Sequence, residues 1–118
     1  MTSVRALLAA LLGFAALPAG GGTPHDPTLA RGEHIARLVC SACHVVAKDQ
    51  EFAPLLVKPA PSFYEIANRP ETSAQSLEHF IKSTHWDLNT IPMTMPNPML
   101  ERDETSAVAR YIVSLRTH

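Results

Sequence analysis

The chain has only two cysteines among its 118 residues, and it lacks other features that mark common protein classes. Its ten basic and eleven acidic side chains are scattered, so no basic stripe offers a surface to nucleic acid. Its longest apolar run, at 6–17, has 12 residues and is too short to cross a bilayer as a helix, which needs about 20. No stretch alternates polar and apolar residues well enough to predict a strand. We therefore expect one small all-α domain.

The apolar run belongs to a segment with the layout of a secretory signal peptide. One positive charge, Arg5, precedes the run, Pro18 closes it, and small residues follow. This order of charged, apolar and small-residue regions is typical of an export signal that is later removed. We predict a signal peptide at 1–21, a flexible linker at 22–27 and a single domain at 28–118, located in the periplasm. An uncleaved N-terminus that tethers the protein to the membrane is the alternative.

Both cysteines lie in the sequence Cys40-Ser41-Ala42-Cys43-His44, which has the C-x-x-C-H spacing of c-type haem attachment. Two thiols three positions apart can reach the two vinyl groups of one porphyrin, and the adjacent imidazole can bind the iron. A zinc site would need two further ligands, and the chain has no other cysteine. A thioredoxin-like pair is expected beside a βαβ pattern, which is absent from the sequence. The motif predicts one covalent haem c, attached to Cys40 and Cys43 and bound by His44.

A six-coordinate iron needs a second axial ligand, and three of the four methionines lie in one proline-rich segment at 91–99. The thioether of Met93, Met95 or Met99 is a soft, neutral donor that favours ferrous iron. Methionine also fills gaps in apolar cores. The crowding of three methionines in a loop that prolines make rigid favours a ligand over core packing. His85, just upstream of the segment, is the alternative ligand.

Helical periodicity predicts three helices with proline-rich loops between them. The first spans 29–39, the second begins at a Thr72–Gln75 capping box, and the last spans about 103–115. Each has an apolar face that we expect to be buried. These faces comprise Gly32, Ile35, Leu38 and Val39 in the first helix, Leu77, Phe80 and Ile81 in the second, and Val108, Tyr111, Ile112 and Leu115 in the last.

With these features the chain resembles the class I monohaem cytochromes c of the small bacterial type, over nearly all of its mature length. Gly32, eight residues before Cys40, matches the glycine at which the family's N-terminal helix crosses the C-terminal helix. Tyr111 matches the aromatic residue that packs at this crossing. The resemblance implies the cytochrome c fold, in which three to four helices and proline-rich loops surround one haem.

The same resemblance implies roles for two loop residues. The segment at 60–67 resembles the family's proline segment, in which Pro61 would accept a hydrogen bond from the Nδ1 of His44 and so fix the nitrogen presented to the iron. The segment at 95–100 resembles the axial-methionine loop and selects Met95 as the second ligand, with Met93 as the next choice.

The chain departs from the family pattern in two places. The stretch from His44 to Pro61 is long, so we expect an extra loop at about 45–58, along one edge of the haem. Glu101 stands where the family often has a serine or threonine as helix N-cap, which predicts a weaker cap.

Together, the motif and the resemblance favour an electron carrier rather than an enzyme. We expect a monomer that passes single electrons between redox partner proteins, such as a dehydrogenase and a cytochrome complex or oxidase. Neither a small-molecule substrate nor a nucleic acid is expected as a partner. One alternative is a haem enzyme or gas sensor with an open or displaceable sixth site, where His85 would serve as the distal acid or base. Another is a dedicated haem subunit of one dehydrogenase or oxidase.

Overall fold

All regular secondary structure in the described part of the chain is helical, and loops connect the helices. The structure, a computed structural model, describes residues 25–56, 60–83 and 95–117. Within these ranges it contains no strand, which confirms the all-α prediction. The four helices are α1 (Pro27–Val39), α2 (Phe63–Ala67), α3 (Ala74–Lys82) and α4 (Arg102–Ser114).

Several sequence predictions concern residues outside these ranges. The proposed signal peptide and the first half of the proposed linker precede residue 25, where the description begins. The alternative iron ligands Met93 and His85 also lie outside the described residues.

Helix α1 begins at Pro27, two residues earlier than predicted. The Asp26 carboxylate accepts a hydrogen bond from the Thr28 N–H at 2.8 Å and caps the helix. The pKa of Asp26 is lowered, and this hydrogen bond is the largest cause. Proline suits the first turn because the N–H that it lacks would have no partner within the helix.

The buried face of α1 is narrower than predicted. Gly32 and Ile35 are buried as expected, and Ala36 is buried with them. Leu38, 71% exposed, and Val39, 43% exposed, are not, so that part of the prediction is wrong. The contact with α4 centres on Gly32, and the buried face therefore ends before the helix does.

The crossing of α1 over α4 depends on the absence of a side chain at Gly32. A Cβ atom there would overlap the carbonyl of Ala107 and lie 2.8 Å from the Cβ of Tyr111. An ion pair between Arg31 and Asp103, at 2.7 Å, lies at the edge of the same crossing. The predicted pairing of Gly32 with Tyr111 is thus present.

Helix α3 starts one residue later than the predicted capping box implied. Ser73 and Ser76 cap each other's backbone N–H groups, at 3.0 and 2.9 Å. The Thr72 hydroxyl instead donates to the carbonyl of Ile66 at 2.6 Å. Thr72 and Ser73 could each cap α3. Because the Thr72 hydroxyl is bonded to Ile66, Ser73 is the residue that caps the helix.

On α3 the predicted buried face is correct at Leu77 and Ile81 and wrong at Phe80. Leu77 and Ile81 are buried, one turn apart, whereas Phe80 is 50% exposed. Residues four apart lie above one another on a helix, so the first two share the side that packs on α4.

Helix α4 is the central element, since it contacts each of the other three helices. Val108, Tyr111 and Ile112 are buried as predicted, and Leu115 is partly buried against the core. Glu101 is the N-cap residue, as expected. The Glu104 carboxylate accepts a hydrogen bond from the Glu101 N–H at 3.0 Å.

Candidate haem site

The C-x-x-C-H motif forms a single turn at the C-terminal end of α1. The Cys40 N–H donates to the Ala36 carbonyl at 2.9 Å and so caps the helix. The N–H groups of Cys43 and His44 then both donate to the Cys40 carbonyl, at 3.1 and 2.9 Å. This turn places two thiols and one imidazole close together in space.

The two cysteines are free thiols of intermediate exposure, and Cys40 also packs against the hydrophobic core. Burial, with a smaller contribution from Cys43, raises the pKa of the Cys40 thiol to about 11.

His44 is buried, with 9% of its surface exposed, and its ring is held by a hydrogen bond. Its Nδ1 lies 2.7 Å from the carbonyl oxygen of Pro61. A carbonyl can only accept, so Nδ1 carries the proton and donates it. Nε2 then keeps its lone pair, and it has no hydrogen-bond partner among the described residues. This is the arrangement that an iron-binding histidine requires.

Pro61 reaches His44 because the loop before α2 lies along the motif. Backbone N–H groups of this loop donate to carbonyls of the motif and of the residue after it. The pairs are Leu55 to Ala42 at 2.9 Å, Ala60 to Cys43 at 3.2 Å and Phe63 to Val45 at 2.9 Å. The described part of the predicted extra loop, 45–56, therefore runs beside the attachment site.

Two aromatic rings extend the packing of His44 into the core. The Phe63 ring lies 5.4 Å from the His44 ring, centroid to centroid, with a tilt of 50°. The Tyr111 ring lies 6.5 Å from that of Phe63. Burial raises the pKa of Tyr111 to about 12, so its hydroxyl is protonated at neutral pH.

The two methionines within the described residues differ in their environments. Met95 is partly buried and packs against the hydrophobic core. Met99 is 83% exposed and has a positive φ of 56°, and its N–H donates to the Asn97 side chain at 2.9 Å. Of these two side chains, that of Met95 is the one that packs against the core.

Sequence reasoning missed Gln50 and the hydroxyl of Tyr111. The Gln50 side-chain oxygen accepts from the Val46 N–H at 2.8 Å, and the Tyr111 hydroxyl donates to the Val46 carbonyl at 2.8 Å. Gln50 lies in a loop without periodicity, so no pattern marks it. The choice of tyrosine at a buried position was a usable signal, because a buried hydroxyl usually has a hydrogen-bond partner.

Comparison with known proteins agrees with this geometry. The sequence model of the family described as cytochrome c matches residues 29–116, a range that contains the motif and the methionine segment. The chain belongs to the cytochrome c family. Cytochrome c-552 of Bradyrhizobium diazoefficiens is 38% identical over 85 residues, which are 72% of this chain and 72% of that protein. No solved structure matches the chain.

Membership of the family establishes the all-α cytochrome c fold and a covalently bound haem c with its iron. The donor groups fit this cofactor, since the motif supplies two free thiols and a buried histidine with an available Nε2. In the described ranges, no group of three or more histidine, cysteine or acidic side chains could by itself hold a metal ion. None of the helices described is long and apolar enough to span a bilayer.

Proposed function

We propose that the protein is a periplasmic electron carrier that holds the haem iron between His44 and Met95 and transfers single electrons. Family membership supports the general role, because cytochromes c carry electrons to redox partners. The observation that carries the specific proposal is the 2.7 Å contact between His44 Nδ1 and the Pro61 carbonyl. It leaves one defined nitrogen of the ring for the iron.

His44 and Pro61 act as a pair in this proposal. A hydrogen bond from Nδ1 to a carbonyl fixes the tautomer and the ring orientation, and it makes the other nitrogen a stronger donor. The contact with the Phe63 ring restricts the imidazole further. A ligand that moves little between oxidation states lowers the structural cost of electron transfer.

Met95 is the proposed second ligand. Its partial burial against the core and the exposure of Met99 support this choice over Met99. A haem with histidine and methionine ligands has a raised reduction potential and no free position for a substrate. The proposal is therefore a carrier rather than an enzyme or a gas sensor.

The proposed periplasmic location is supported by the segment at 1–21, whose charge, apolar run and small residues fit an export signal. The partners proposed are redox proteins, such as a dehydrogenase as donor and a cytochrome complex or oxidase as acceptor. The scattered charges of the chain are compatible with a monomer that meets each partner transiently.

The proposal is tested by comparing Met95→Ala with Met99→Ala in the haem-loaded protein. Loss of the Met95 sulfur should lower the reduction potential and let the ferrous iron bind carbon monoxide, because a soft sixth ligand has been removed. Met99→Ala, at an exposed position, should leave both properties unchanged.

An unchanged potential in Met95→Ala would show that another group is the sixth ligand. Met93→Ala and His85→Ala, measured in the same way, would then identify it. Carbon monoxide binding by the unaltered protein would instead favour the enzyme or sensor alternative.

A further inference from the structure

The backbone of Val46, two residues beyond His44, is held by side chains on both sides. The Val46 N–H donates to the Oε1 of Gln50, and the Val46 carbonyl accepts from the Tyr111 hydroxyl, each at 2.8 Å. Val46 has no exposed surface, so water cannot replace either bond. An unsatisfied buried polar group is costly, so the two bonds hold the peptide groups before and after Val46 in one position.

Gln50 connects Val46 to the attachment turn itself. Its amide nitrogen donates to the Phe52 carbonyl at 2.7 Å and lies 3.4 Å from the carbonyl oxygens of Ser41 and His44. One side chain therefore contacts the backbone before His44, at His44 and after it. The amide oxygen accepts one bond, and the two N–H donors of the amide are shared among the three carbonyl oxygens.

Tyr111 connects the backbone of Val46 to the helix crossing. The Tyr111 Cβ packs closely against α1 at Gly32, where a side chain would collide with it. The Tyr111 ring packs beside that of Phe63. Its hydroxyl then reaches Val46, 65 positions earlier in the chain. The position of the His44 segment is thus tied to α4 by a buried bond.

We propose that Gln50 and Tyr111 are positioning residues for His44, acting through the backbone of Val46. Neither side chain contacts the imidazole nitrogens, because Nδ1 bonds to the Pro61 carbonyl and Nε2 is the proposed ligand of the iron. The clamp, defined as Gln50, Val46 and Tyr111, fixes the backbone of the histidine, while Pro61 fixes its ring. This inference rests on the proposed role of His44 as the iron ligand.

Two variants test the clamp. Tyr111→Phe removes only the hydroxyl and keeps the ring that packs at the crossing. Gln50→Met has a side chain of similar length without the amide. Thr72→Val is the matched control, because it also removes a buried hydroxyl that donates to a carbonyl, that of Ile66, away from Val46.

The measurements on the haem-loaded proteins are the melting temperature, the reduction potential and the electron paramagnetic resonance spectrum of the ferric form. The g values of a low-spin ferric haem respond to the orientation of the axial imidazole, so they report on His44 directly. We expect all three variants to melt at lower temperature. Only Tyr111→Phe and Gln50→Met should shift the potential and the g values.

Wild-type potential and g values in both clamp variants, with only the melting temperature lowered, would overturn the proposal. Should a variant fail to fold, hydrogen exchange of the Val46 N–H in the unaltered protein gives a second test. We expect its protection to match that of the N–H groups within α4, and rapid exchange would contradict the clamp. A wild-type spectrum without histidine ligation would instead refute the proposed function on which the inference rests.

Discussion

Replacement of Gly32 by alanine should destabilise the protein even though alanine is the better helix former. The added Cβ would lie 2.7 Å from the carbonyl carbon of Ala107 and 2.8 Å from the Cβ of Tyr111. Carbon atoms that are not bonded prefer about 3.5–4.0 Å, so α1 and α4 must separate by roughly 1 Å. The obstructing atoms belong to a helix backbone and to a Cβ, and neither can rotate away.

The magnitude follows from two opposing effects. Overpacking of a close contact costs about 1–3 kcal/mol, and a clash with backbone belongs at the upper end of that range. The helix propensity of alanine returns about 1 kcal/mol. The net loss of about 2 kcal/mol corresponds to a fall in melting temperature of roughly 8–16 °C for a domain of this size.

Thermal unfolding followed by circular dichroism measures this effect. His34→Ala is the matched control, because His34 is exposed on the same helix and its replacement adds helix propensity without any contact at the crossing. We expect its unfolding free energy to change by less than about 0.5 kcal/mol. A Gly32→Ala protein that melts at or above the temperature of the unaltered protein would refute the role assigned to Gly32.

Two further predictions concern polar contacts made by arginine side chains. The Arg116 guanidinium donates to the carbonyls of Ala67 and Thr72, at 2.8 and 2.6 Å. Because a lysine side chain cannot reach both carbonyls, Arg116→Lys should lower the free energy of unfolding, measured by chemical denaturation, by about 1.5–3 kcal/mol. The same loss in Arg110→Lys, an exposed position on α4, would contradict this assignment. The hydrogen bond from Arg37 holds the pKa of Asp49 below its usual value. The ion pair therefore stabilises the fold above about pH 4, and this stabilisation is lost as the pH falls through the lowered pKa. The difference in melting temperature between the unaltered protein and Asp49→Asn should therefore vanish in acid, and a constant difference from neutral pH to pH 2 would show that the pair is not its cause.

The closeness of Cys40, Cys43 and His44 was predictable because it is local. The three residues lie within five positions, and the structure places them on one turn. The crossing of α1 and α4 was predictable through the family resemblance, which paired Gly32 with Tyr111. The structure shows why the position needs a glycine, because a Cβ there would overlap Ala107 and Tyr111.

Other features depend on contacts between distant parts of the chain and could not be read from a pattern. The capping register at α3 is set by the bond from Thr72 to Ile66, and nothing local distinguishes Thr72 from Ser73. Phe80 has the periodicity of a buried residue, yet the side of α3 that packs on α4 is set by Leu77 and Ile81.

The loop residues show the same limit. Gln50 is one polar residue in an irregular stretch, and its four contacts exist only once the loop has folded back along the attachment turn. The Pro61 contact was accessible only through the family resemblance, because 17 positions separate Pro61 from His44.

The central claim is that the iron is held by a nitrogen of His44 and a methionine sulfur, with no position open to a substrate. Absorption spectra of the haem-loaded protein from a periplasmic extract test it most directly, recorded oxidised, reduced, and reduced under carbon monoxide. We predict a far-red charge-transfer band from sulfur to iron in the ferric form and a ferrous spectrum that carbon monoxide leaves unchanged. Absence of the band together with ready carbon monoxide binding would contradict the account, since it would mean an iron open to ligands.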